Sequence, residues 1–151
     1  MSFFQHKILG LHLLLSLGGI VCWVVAASFS FLFLLQEHAL KRKHAWISLP
    51  ALEILDRAHY RWLSLGFWMF TAGMVIGLLA AKVQLGQQWS FNPVQLWTLA
   101  GWGIFAVLLF FRARTGLRGK RAVLYSLIGF IGVLFFSWIG VSYLFPGVHQ
   151  P

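Results

Sequence analysis

Four apolar stretches, approximately Leu9–Leu35, Trp62–Ala81, Leu96–Phe111 and Ala122–Phe145, take up most of this chain, and none contains a Lys, Arg, Asp or Glu. Each is near or above the roughly 17–25 residues that an α-helix needs to cross a bilayer's hydrocarbon. A backbone in lipid must satisfy its own hydrogen bonds, so the stretches predict an all-α fold. The expectation is one integral-membrane four-helix bundle over residues 1–151. With 60% hydrophobic and 10% charged residues, a soluble domain would need an unusually large core.

Charge placement predicts orientation. Of the 12 Lys and Arg residues, Lys41, Arg42, Lys43, Arg57 and Arg61 lie between the first and second stretches. Arg112, Arg114, Arg118, Lys120 and Arg121 lie around the link between the third and fourth. Only Lys7 and Lys82 fall on the other side, so the positive-inside rule puts both basic links in the cytoplasm. Both termini and the Lys82–Gln95 loop are then expected outside. The net charge of +9 is read as attraction to the anionic inner leaflet, with no nucleic-acid partner. Cys22, the single cysteine, lies mid-span and is read as packing. The first stretch is too long for a signal-peptide core and is expected to be retained.

Between Trp46 and Arg61 the pattern changes. Ser48 and Pro50 resemble a helix start, and Leu49, Leu52 and Leu55 recur opposite Glu53, Asp56 and Arg57, which predicts a short amphipathic helix at the inner surface. Glu53 and Asp56 are read as solvated and balanced by Arg57. Gly66, Gly73 and Gly77 in the second stretch, and Gly129, Gly132 and Gly140 in the fourth, predict close helix approaches, within the chain or with a partner.

Histidines supply the functional clue. His38, His44 and His59 are expected to be hydrated in the inner loop, and His6 lies in the N-terminal tail. His12 lies near the outer end of the first stretch and His149 just beyond the fourth, so topology assigns both to one membrane face. Two imidazoles there can hold a haem iron from opposite sides; the alternative is that each anchors at the headgroups or bonds a carbonyl. The outer loop adds Trp89, Phe91 and Trp97, whose flat faces suit a macrocycle, and Ser90, Asn92 and Gln95, which suit propionates.

The segment Trp89-Ser90-Phe91-Asn92-Pro93-Val94-Gln95-Leu96-Trp97 resembles the tryptophan-rich loop of the CcsA/HemX cytochrome c assembly family, which reads Trp-Ser-Trp-Asp-Pro-Lys-Glu-Thr-Trp. Leu35-Gln36-Glu37, Leu40-Lys41-Arg42-Lys43, Leu49-Pro50-Ala51-Leu52-Glu53, Leu65-Gly66-Phe67 and Thr115-Gly116-Leu117-Arg118-Gly119-Lys120-Arg121 are also similar to that family. The likeness covers nearly the whole chain and corresponds to the C-terminal half of a longer family member. It implies a bacterial inner-membrane protein of cytochrome c biogenesis that presents haem b at the outer face. His12 and His149 would be the axial ligands, beneath a lid of Trp89, Phe91, Asn92 and Trp97. A second membrane subunit or an apocytochrome c is the implied partner.

Departures from the family pattern bear on this. Asn92, Val94, Gln95 and Leu96 remove every charge from the loop, and Phe110 stands where haem-transporting members have an inner His. An inner haem site is therefore not expected. No nucleophile or acid/base pair suits thioether formation, so any lyase activity would need other subunits. The rival reading is a non-haem scaffold or accessory subunit of a transporter or tetrapyrrole-pathway enzyme. A channel is disfavoured, because His12 is the only ionisable side chain inside the four stretches apart from Cys22 and the tyrosines.

Overall fold

The structure, a computed structural model, describes residues 3–42, 50–85 and 93–144, with side chains over 6–42, 50–82, 96 and 98–135. Four helices follow one another: α1 (Phe3–Lys41), α2 (Leu52–Leu85), α3 (Pro93–Thr115) and α4 (Lys120–Leu144). The described residues contain no strand. Among the described residues three segments, His6–Lys41, Leu52–Lys82 and Thr98–Thr115, are long and apolar enough to cross a membrane. The chain is a multi-pass membrane protein.

Outward surfaces agree with a lipid solvent. Leu14, Trp68, Ile128 and Phe135 are each at least 60% exposed, and large apolar side chains face out along all four helices. In water such continuous apolar cover would drive association. The buried core is correspondingly narrow and runs up the bundle axis in two parts. Trp23, Ala26, Leu63, Phe67, Phe105 and Leu108 make one, and Phe33, Leu55 and Val123 make the other, nearer the basic links.

Antiparallel packing of α1 on α2 dominates the bundle. Small residues allow it: a methyl group added at Gly66 would lie 2.8 Å from the Gly19 carbonyl, and one at Gly19 would lie 2.9 Å from the Gly66 carbonyl. Further along, Gly73 meets Ser16 and Gly77 meets His12. The glycine spacing of the second stretch therefore serves contact within the chain. On the α3–α4 seam, Gly129 meets Ile104 and Gly101 meets Val133. Trp23 ties three helices, with its ring centroid 4.9 Å from Phe70 on α2 and 4.3 Å from Phe105 on α3. Cys22 is buried, its Sγ 4.0 Å from Met69 Sδ, as a packing residue should be.

The expected surface helix does not stand apart from the second span. α2 starts at Leu52, where the amides of Ile54 and Leu55 bond to the Ala51 carbonyl, and it continues unbroken through Trp62. Nothing between Leu52 and Trp62 breaks a helix: there is no Pro or Gly, and Leu52, Leu55, His59 and Leu63 continue one stripe at helical spacing. α1 is also longer than its apolar stretch, at 39 residues. At 1.5 Å per residue that is about 58 Å, well beyond a hydrocarbon core of roughly 30 Å, so its ends stand in the interfaces.

α3 and α4 are joined by Gly116–Gly119. Gly116 (φ 65°) and Gly119 (φ 67°) take the left-handed conformation that stops α3 and turns the chain.

Candidate functional site

His12 is the haem-ligand candidate that the structure describes with its side chain. It lies well inside α1, half-buried against α2. Its Nδ1 is 2.7 Å from the carbonyl oxygen of Gly73. Because a carbonyl oxygen only accepts, Nδ1 carries a hydrogen, which in the neutral ring leaves the lone pair on Nε2. The ring fits here because Gly77 has no side chain: a methyl at Gly77 would come within 2.7 Å of His12 Cε1. A ring fixed through one nitrogen, with the other left basic, is the usual setting of a metal-binding histidine. It also serves as a plain interhelical tie.

Trp89, Phe91, Asn92 and His149 lie outside the described residues, and so does the side chain of Trp97, although its backbone is in α3. Among the described residues no group of three or more His, Cys, Asp or Glu side chains gathers to hold a metal ion. Phe110 is 57% exposed on the outer surface of α3, with the Arg114 guanidinium 5.4 Å from its ring centroid.

At the basic end the structure corrects the reading of two side chains, Asp56 and His59. Asp56 is buried, not solvated, and its partner is Arg112 across the bundle, not Arg57. Arg112 Nη2 donates to Asp56 Oδ2 at 2.8 Å and approaches the Asp56 carbonyl at 3.3 Å, and the Gly119 amide donates to Oδ1 at 3.1 Å. The Arg112 guanidinium sits over Tyr60, its Cζ 4.6 Å from the ring centroid. His59, expected to be hydrated, is 1% exposed, and its Nε2 lies 2.8 Å from Ser126 Oγ on α4. Ser126 Oγ also donates to the Val123 carbonyl at 2.9 Å, which assigns its hydrogen and makes it the acceptor for His59 Nε2–H. Glu53 does pair with Arg57, at 2.7 Å on the surface, and His38 is exposed in the last turn of α1.

The signal for this cluster was the stripe itself. Asp56 and His59 sit next to Leu55 and Leu63 on the face of α2 that Phe67 and Gly73 continue, and Arg112 follows Phe105 and Leu108 on α3. Polar residues in register with a buried stripe are buried too, and must then be paired. Nearer the middle, Trp102 Nε1 donates to Thr71 Oγ1 at 2.9 Å, linking α3 to α2.

Residues 1–149 match the cytochrome c assembly protein family. The chain is similar to the cytochrome c biogenesis protein CcsA of Synechococcus sp. (strain JA-2-3B'a(2-13)), 38% identical over 70% of the chain and 30% of that relative. It is similar to the protein of that name from Porphyra purpurea, 37% identical over 66% of the chain and 31% of the relative. The Mesostigma viride protein is 32% identical over 68% of the chain and 33% of the relative. The chain thus covers about a third of these relatives' length. No solved structure matches it.

Proposed function

The chain belongs to the cytochrome c assembly protein family, and on that premise we propose that it serves cytochrome c biogenesis by binding haem b at the outer face of a bacterial inner membrane and holding it for an apocytochrome c or a second membrane subunit. The observation that carries this reading is the tautomer of His12. With Nδ1–H given to the Gly73 carbonyl, Nε2 is the atom left to ligate.

In this proposal His149 would be the second residue to hold the haem, with Trp89, Phe91 and Trp97 lining it and Asn92 offering it a hydrogen bond. Bound haem would supply an iron that accepts imidazole nitrogens. The chain's part is to fix one ring between α1 and α2 before anything binds, which lowers the entropy cost of capture. Bond formation to the apocytochrome belongs to other subunits.

The visible spectrum of the purified full chain in detergent tests the proposal. A six-coordinate low-spin haem spectrum is expected, lost in both His12→Ala and His149→Ala. A protein that stays colourless after haem is added overturns it.

The same hydrogen bond favours a second reading, a non-haem scaffold or accessory subunit of a transporter or tetrapyrrole-pathway enzyme in which His12 only ties α1 to α2. In that case His12→Ala lowers thermal stability and no spectrum changes.

A further inference from the structure

The basic end of the bundle carries a cavity for which haem presentation has no use. It measures about 470 Å³ and is lined chiefly by Glu53, Asp56, Arg57, Tyr60, Arg112 and Arg118. Arg112 is the informative member. Its side chain is 7% exposed, its Nη2 is taken by Asp56, and its Nη1 is buried with no hydrogen-bond partner. A buried guanidinium N–H without an acceptor is costly, and structures rarely keep one.

The carboxylates nearby are already committed. Asp56 spends one oxygen on Arg112 and the other on the Gly119 amide, and Glu53 is held by Arg57. Arg118 is exposed, with no carboxylate within ion-pair distance among the described residues. Three guanidinium groups therefore face two occupied carboxylates. Asp56 and the ring of Tyr60 hold the Arg112 guanidinium in place, with Nη1 left over.

We propose that this cavity binds a phosphate group, with Arg112 Nη1 and Arg118 donating to its oxygens and Arg57 at the rim. A phosphate offers several strong acceptors on one centre and suits a planar fork better than water or an amide does. The site lies at the end of the spans, level with the basic links, where the phosphate of an anionic phospholipid and that of a soluble phosphate ester are both within reach.

The full chain tests this in two arms. In the first, nanodiscs hold phosphatidylglycerol and phosphatidylcholine in equal amounts, and native mass spectrometry reads the lipid retained on release. Phosphatidylglycerol is expected to stay bound, with retention falling roughly tenfold in Arg57→Gln/Arg118→Gln. In the second, the delipidated chain in maltoside micelles receives inorganic phosphate, and a rise in Tm that the same double variant lacks supports the site with a soluble source. Arg114→Gln/Arg121→Gln removes equal charge outside the cavity and is the control. Arg112 is left intact, because its loss would strand Asp56. The absence of both retention and a Tm shift overturns the proposal, and so does an equal loss in both double variants, which is the mark of diffuse surface charge.

Discussion

The imidazole of His12 reaches across the α1–α2 seam and donates its Nδ1–H to the Gly73 carbonyl at 2.7 Å, over the gap left by Gly77. Three residues from two helices thereby define one ring's position, tautomer and available nitrogen. A residue that never touches a ligand can then control how well the ligand is held.

Gly77→Val puts branched carbon where the ring now lies. Haem affinity is expected to fall about 10- to 100-fold, the usual cost of disturbing the support of a metal ligand, while helical circular dichroism stays unchanged. Haem titration followed by absorbance measures it, and equal affinities in the two proteins would remove Gly77 from the site.

Asp56→Ala leaves Arg112 buried without a counter-charge. The expected loss is about 3–5 kcal/mol of stability. Replacing the pair together, as Asp56→Leu with Arg112→Met, is expected to recover most of that loss, because two desolvation costs disappear with the attraction. Unfolding in mixed micelles reads both. A double variant as unstable as the single one would mean that the pair does more than neutralise itself.

Gly73→Val sets new carbon beside Ser16, whose Oγ would be 2.6 Å from even the first added atom. Helices packed through backbone cannot yield locally, so α1 and α2 must part. A cost of about 1–3 kcal/mol follows, seen as a lower Tm in detergent. Gly132→Ala, with nothing within 4 Å, is the control and is expected to leave Tm unchanged. Similar effects at both glycines would contradict this account of the seam.

Thr71 and Trp102 form a second side-chain hydrogen bond between α2 and α3, beside that of Asp56 and Arg112. A double-mutant cycle with Thr71→Val and Trp102→Phe is expected to give a coupling of about 0.6 kcal/mol, typical of such bonds in membranes. The stacking of Trp102 on Phe67, centroids 5.7 Å apart, survives in Trp102→Phe, so the cycle isolates the bond. Additive single effects would show that the bond contributes nothing net.

The membrane class, the four helices and the glycine-mediated approach of the second span were legible along the chain, because each depends on local length, apolarity or residue size. His12 was also singled out by its place in an apolar run. Its hydrogen bond to Gly73 was not legible, since a partner on another helix depends on how the helices turn about their axes. Asp56 and His59 show the same limit from the opposite side. Their place between the first two apolar stretches suggested water, and only the continuous α2 and its rotation against α3 and α4 put them inside, where low polarity compels each to find a partner. Sequence by itself determined which segments leave water, because transfer free energy accumulates residue by residue along the chain. Tertiary structure decided which polar atoms meet, because pairing in the interior depends on the relative rotation of helices that are distant in sequence.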